Sequence, residues 1–187
     1  GIEIRYTTDG SIPTKNSRLY TQPFEMSKGE VKAAAFSKTE KGGVAAEVIG
    51  IAKKDWKVVD LSSETVRHKA ALALDGNSKT YWLSEATGAA QHITIDLGKT
   101  YDHKGFAYTP QNNNEKGMME KGEIRASTDG KTWTIVSNFE FGNLINDPTK
   151  RRHNFSTPVS AKYIKIESKE IAGKGNVLAI AELDLFE

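Results

Sequence analysis

The sequence predicts an all-β protein built as an antiparallel sandwich, and three observations predict it. Short segments alternate apolar and polar residues with the period of two that a half-buried strand requires. Asp-Gly pairs at Asp9-Gly10 and Asp129-Gly130 separate such segments, and glycine there accepts the positive φ of a tight turn without a Cβ clash. Helical periodicity is nearly absent. Only Ser62 to Leu74 could hold a helical turn or two, with Ser62 and Ser63 as caps and Leu61, Val66 and Leu72 as its loosely spaced apolar positions.

The elements follow in order. Ile2, Ile4 and Tyr6 alternate with Glu3, Arg5 and Thr7 as a first strand, and Asp9-Gly10 turns it, with Pro13 barring a central strand nearby. Lys32 to Phe36 and Val44 to Ile51 are two more strands, joined by the polar connection Lys38 to Gly43. Ala52-Lys53-Lys54-Asp55 is a polar break, read as a domain boundary. Beyond it, His92 to Leu97 alternates and Gly98 closes it. Glu123 to Ser127, Asp129-Gly130 and Thr132 to Val136 form a hairpin. Tyr163 to Glu167 and Ala181 to Phe186 complete the strand set. Short, frequent strands with turns between them are the pattern of a sandwich.

Composition excludes several classes. The chain has 187 residues, and its 26 Lys and Arg against 24 Asp and Glu leave a net charge of +2. That balance offers no electrostatic footprint for nucleic acid. There is no cysteine, so disulfide scaffolds, zinc–thiolate sites and thiol nucleophiles are excluded. No apolar run approaches the ~20 residues of a membrane-spanning helix. The chain starts at Gly1 within what reads as a strand, without a basic or apolar leader, and is expected to be a piece of a longer protein.

Chemistry-bearing patterns are few. Asp75-Gly76-Asn77, with Thr80 three further on, is a loop that can turn a carboxylate, carbonyls and a hydroxyl inward, as a hard cation needs. It lacks the EF-hand spacing, and on spacing alone an Asp-Gly turn without metal is the preferred reading. His68, His92, His103 and His153 form no metal-binding spacing and read as surface or strand residues. No serine-nucleophile elbow and no glycine-rich phosphate loop is present. Trp56, Trp82 and Trp133 could stack on sugar rings, but core packing is the expectation for Trp82 and Trp133. The amide-rich run Gln111 to Lys116 is either a solvated connection or the rim of a sugar site.

These residues carry a resemblance. Ala73 to Asn77 with Thr80 and Trp82, Ile93 to Gly98, Ser127 to Trp133, Ala161 to Ile166 and Ile180 to Leu183, in that order, resemble the discoidin or coagulation-factor type C domain, specifically the family 32 carbohydrate-binding modules, over residues 53–187. Ile4 to Thr14, Leu19-Tyr20, Pro23-Phe24 and Val31 to Phe36 resemble the small immunoglobulin-like domain at the C-terminus of chitobiases and β-hexosaminidases, truncated at its start, over residues 1–52. The pair resembles the tail of a chitobiase-like glycoside hydrolase of a Bacteroides-type bacterium.

The resemblance implies a galactose-binding-like jelly-roll β-sandwich behind a small immunoglobulin-like β domain. It implies a structural calcium held by the Leu72 carbonyl, the Asp75 carboxylate, the Asn77 carbonyl, the Thr80 oxygens, the Ala181 carbonyl and the Glu182 carboxylate. It implies a non-catalytic module, secreted, periplasmic or on the cell surface, that binds a galactose-, GlcNAc- or fucose-containing glycan and targets an attached catalytic domain. No nucleic acid and no membrane insertion are expected. Glu85, Gln111, Asn112 and Asn114 would line the sugar rim. Galactose-type members often carry an Arg where Gln111 stands, an Asn before the Gly where Lys116-Gly117 stands, and an aromatic where Leu178 stands. That leaves a different glycan, a weak site, or a spacer or docking domain without a sugar site of its own.

Overall fold

The structure, a computed structural model, describes residues 1–85, 88, 90–112 and 117–187, with the backbone alone at position 174. It divides into two compact units, Gly1–Ala52 with Phe186–Glu187, and Lys53–Leu185.

The first unit is one antiparallel sheet. Its strands are β1 (Glu3–Thr7), β2 (Arg18–Leu19), β3 (Gly29–Phe36) and β4 (Lys41–Ile49), in the order β2-β1-β3-β4. The Asp9-Gly10 turn forms as expected: Gly10 sits at φ 78, and the Asp9 carboxylate accepts the Ser11 N–H at 3.0 Å. Tyr6 is buried under Phe24, stacked at 4.7 Å, with Tyr20 edge-on at 6.3 Å. Ile2 and Ile4, expected on the same half-buried face, are 76% and 46% exposed. The Tyr20–Phe24 segment covers only the Tyr6 end of that strand. The Lys38–Gly43 connection is tighter than its composition suggested. The Ser37 N–H closes on the Glu40 carbonyl at 2.9 Å, and β4 already begins at Lys41.

The second unit contains β5 (Lys57–Leu61), β6 (Trp82–Leu83), β7 (His92–Thr109), β8 (Met119–Ser127), β9 (Thr134–Glu140), β10 (Arg151–Ile171), β11 (Ala179–Ile180) and β12 (Glu182–Phe186) as far as Leu185. The main sheet runs β12-β7-β10-β8-β9, with β5 also on β7, and β6 pairs β11. β7 and β10 are far longer than their alternating segments predicted, and the extra length makes the second layer. Phe106 on β7 packs against Phe139 on β9 at 5.0 Å. In a flat sheet these strands, three places apart, would be separated by about 14 Å. The sheet therefore folds back on itself as a sandwich.

The bend falls at Gly98, whose φ of 83 favours glycine, and at the register shift between Ala161 and Tyr163. A Cβ at position 98 would lie 2.9 Å from the Asp55 Cβ. Ile93, Ile95, Leu97, Phe106, Ile124 and Ile164 fill the space between the layers.

The expected helical segment is a 3₁₀ turn at Ala70–Leu74. Its cap position is Lys69, without a side-chain cap, rather than Ser62 or Ser63. The Ser62 hydroxyl instead accepts the His92 N–H at 3.1 Å, and Val66 is 84% exposed. Of the apolar positions that suggested a helix, Leu61 ends β5, Val66 lies in a loop, and only Leu72 falls in the 3₁₀ turn.

Candidate functional site

An acidic cluster joins the early loop to the last strand. Gly76, at φ 77, turns the loop between Asp75 and Asn77. The Asn77 N–H then donates both to the Asp75 carboxylate at 2.8 Å and to the Glu182 carboxylate at 3.0 Å. The Thr80 hydroxyl lies 2.7 Å from Asp75 and 2.8 Å from the Asn77 carbonyl. The Asp75 and Glu182 carboxylates thus share one N–H donor and are brought together by it. Leu72 lies in the 3₁₀ turn, half-buried, and Ala181 is buried with its N–H on the Thr109 carbonyl at 3.0 Å.

Electrostatics separate the two acids. Burial pushes Glu182 up, and neighbouring Asp75 and Asp184 add to that against the opposing Lys53 ammonium. Burial also acts on Asp75, but the Thr80 hydroxyl, the Asn77 N–H, Glu182 and Lys53 outweigh it and hold this carboxyl below its ordinary value. Lys53 pairs with Glu182 and lies 2.9 Å from Asp184. Nothing in the sequence pointed to Lys53: it read as part of a solvated break, and Glu182 stands 129 positions away.

The donors of this cluster are oxygens, the set a calcium ion takes. Asp75, Glu182 and the nearby Asp184 set three carboxylates against two ammonium groups, Lys53 on Glu182 and Asp184 and Lys150 on Asp184 at 3.5 Å. By that chemistry the residues fit a hard divalent cation. Among the described residues no three His, Asp or Glu side chains converge as a metal group. The pair would therefore need carbonyl and hydroxyl oxygens to complete a site.

A second constellation is the loop end of the sandwich. The Ser84 N–H donates to the Leu178 carbonyl at 2.8 Å, and the Leu178 N–H returns to the Ser84 hydroxyl at 2.9 Å. The Gly88 N–H meets the Asn176 carbonyl at 2.8 Å, and the Ala179 N–H meets the Gly117 carbonyl at 2.7 Å. A Cβ at Gly117 would lie 2.6 Å from that of Ala179, so Gly117 meets β11 through bare backbone. Tyr108, fully buried, donates its hydroxyl to the Ala179 carbonyl at 3.2 Å and accepts the Met119 N–H at 3.0 Å.

The expected rim residues separate on this frame. Glu85 and Asn112 are exposed. Gln111 is only 2% exposed, its side chain turned inward. Asn114 lies outside the described residues.

The tryptophans and histidines fall in different settings. Trp82 is fully buried, its indole N–H donating to the Ser63 carbonyl at 3.0 Å. Trp133, expected in the core, is half-buried on the outer side of the sheet. It precedes β9 in the connection from β8, so strand alternation does not govern its side. His103 is fully buried against the Ala161 carbonyl, and His92 pairs with Asp60 at 2.9 Å. His153 meets the Ser137 hydroxyl at 2.7 Å, and burial pushes its pKa down.

Comparison with known proteins agrees with this architecture. Residues 1–49 match the Fn3 associated family. A sialidase of Micromonospora viridifaciens is 29% identical over 133 residues, which is 66% of this chain but 20% of the sialidase, so the chain spans about a fifth of that relative.

Among solved structures, a family 32 carbohydrate-binding module of a family 31 glycoside hydrolase from Clostridium perfringens superposes with a TM-score of 0.67. It is 25% identical, over 73% of this chain and 94% of the module. The family 32 module of C. perfringens NanJ, solved in complex with galactose, gives a TM-score of 0.64 at 25% identity, over 74% of this chain and 98% of its own. The C-terminal domain of a chitobiase from Bacteroides fragilis gives 0.64 at 25% identity, over 73% and 95%. Residues 58–183, more than half of the chain, match the F5/8 type C domain, and the chain belongs to that family.

Proposed function

We propose that the sandwich is a non-catalytic carbohydrate-binding module that holds an attached glycoside hydrolase near its glycan. The observation that carries this reading is the loop end. Backbone hydrogen bonds tie Ser84 to Leu178 and Gly88 to Asn176, which fixes the segments that carry the exposed Glu85 and Asn176, and Asn112 is exposed beside the buried Gln111. Polar side chains held in place at the end of a sandwich suit a shallow sugar site. The NanJ module, similar in fold and 25% identical, was solved with galactose, which supports a sugar as ligand. In this chain Gln111 is turned inward, so the contacts fall to Asn112 and Glu85, and the ligand is a galactose-, GlcNAc- or fucose-containing glycan. Tethering raises the local substrate concentration and thereby the effective affinity of the whole enzyme. The enzyme would act outside the cytoplasm, on secreted or surface glycans.

The acidic cluster would hold a calcium ion through Asp75, Glu182, Thr80 and the Asn77 carbonyl, with the Leu72 and Ala181 carbonyls completing the set. The ion would supply the positive charge that balances two facing carboxylates. The chain's own contribution is to bring the early loop and the last strand to one point.

Titration of galactose, N-acetylglucosamine and fucose glycans, followed by backbone amide resonances, tests the sugar reading. Shifts of Glu85, Gly88, Asn112 and Asn176 at millimolar sugar are expected. Silence of all four across the panel would reduce the module to a spacer.

A further inference from the structure

The outward face of the main sheet carries a groove of about 520 Å³ that the loop-end reading does not use. Strand pleating builds it. Ile93, Ile95 and Leu97 point inward on β7, which turns Thr94 and Asp96 outward. Ile164 and Ile166 point inward on β10, which turns Tyr163 and Lys165 outward. Ile124 and Ala126 do the same for Arg125 on β8. The register sets Thr94, Lys165 and Arg125 in one row across three strands, with Asp96 and Tyr163 in the next.

The β8–β9 turn walls the groove. The Asp129 carboxylate accepts the N–H groups of Lys131 and Thr132, each at 2.8 Å, which fixes the turn. Gly130, at φ 72, backs onto the Tyr163 ring: a Cβ there would lie 3.4 Å from it. Trp133 follows as the second aromatic of the wall. Its indole makes no ring contact and no hydrogen bond with a described residue, whereas Trp82 and Trp56 are buried.

Charge indicates what such a groove takes. Asp60, Asp96 and Asp129 line it, and so do Arg125, Lys131 and Lys165, so the charges cancel. The carboxylates are already engaged: Asp60 by His92 at 2.9 Å, Asp96 by Lys162 at 3.5 Å, and Asp129 by its own turn. Arg125 is shared with Glu123. Three acidic and three basic lining side chains give an ionic ligand no excess of one sign to recognise. What remains is the Trp133 indole and the part of the Tyr163 ring that Gly130 and the Lys162 ammonium, 5.0 Å from its centroid, leave uncovered, beside fixed donors and acceptors. That combination matches a pyranose, whose C–H face is apolar and whose rim is hydroxyls. A groove that crosses strands is longer than one ring, so an internal stretch of a chain fits it better than a terminal sugar.

We propose that this face is a second carbohydrate site, for an internal stretch of a neutral oligosaccharide, built on Trp133, Tyr163, Lys165 and Arg125. It stands on its own residues and does not depend on the loop end.

The test titrates neutral tetrasaccharides of N-acetylglucosamine, galactose, mannose and xylose into the full chain. Tetragalacturonate and polyglutamate serve as acidic controls. The readouts are the Trp133 indole resonance and tryptophan emission. The proposal expects at least one neutral tetrasaccharide to shift Trp133, Tyr163 and Lys165, and to do so equally in Asn112→Ala, which disables the loop end alone. Trp133→Ala should weaken that binding about tenfold, the worth of one stacked ring. Lys165→Met, a surface change that preserves the fold, should weaken it in the same direction. Three results would each overturn the proposal: no response at Trp133 with any neutral tetrasaccharide, responses confined to Glu85 and Asn112, or binding of the acidic controls alone. The second leaves the loop-end reading intact. Loss of the loop-end response alone would leave this groove intact.

Discussion

The backbone N–H of Asn77 donates to the carboxylate of Glu182 at 3.0 Å, across 105 positions of the chain. That bond anchors a loop that has only a 3₁₀ turn of its own to the strand that ends the sandwich. Two carboxylates held together are unfavourable unless a proton or a cation lies between them. If calcium takes that role, free ion at a hundred times its dissociation constant should add about 2.7 kcal/mol to unfolding. Calorimetry with calcium, and again with chelator, should show a higher Tm in calcium. Asp75→Ala should remove the calcium-dependent part of it. Equal melts under both conditions would leave the cluster as a metal-free tie.

Tyr108 carries two buried backbone groups at once. Its hydroxyl serves the Met119 N–H at 3.0 Å and the Ala179 carbonyl at 3.2 Å, and burial raises its pKa far above the ordinary phenol value. Tyr108→Phe keeps the ring and strands both partners. The expected loss is about 1–3 kcal/mol, read from urea unfolding with an unchanged slope. A midpoint equal to the parent's would mean that the loop end repairs the gap by shifting.

Asp129 gives a pH dependence of known sign. The N–H groups of Thr132 and Lys131 and the Ser127 hydroxyl hold its carboxyl well below the ordinary range. A carboxylate whose folded pKa is depressed contributes stability above its unfolded value, near 4, and loses it as the pH falls towards the folded value. Asp129→Asn should therefore be less stable than the parent at pH 7. The gap should narrow steadily below about pH 4. Melts recorded from pH 7 down to pH 2 measure it, and a gap that widens on acidification would contradict the assignment.

Much of the fold was legible in local pattern. Alternation marked the strands around Ile93–Ile95, Ile124 and Ile164–Ile166, because a half-buried strand records its two environments in successive residues. Asp-Gly pairs marked Gly10 and Gly130, because only a few residue types take a positive φ cheaply. Alternation could not show that β7 and β10 continue through a bend into a second layer. His103 and Phe106 are buried there by contacts with distant strands, not by any rule of spacing.

The site divides along the same line. Local residue types and their order determined that the chain is an all-β member of a recognisable family, with an oxygen-rich loop at Asp75–Thr80. Only the tertiary structure decided that Lys53 pairs with Glu182, that Gln111 turns inward, and that Trp133 stands on the outer face beside Tyr163. The reason is physical. Turns and pleats depend on neighbours in sequence, whereas charge pairing, burial and groove formation depend on neighbours in space. Those spatial neighbours are chosen by how two long strands bend at Gly98 and Ala161.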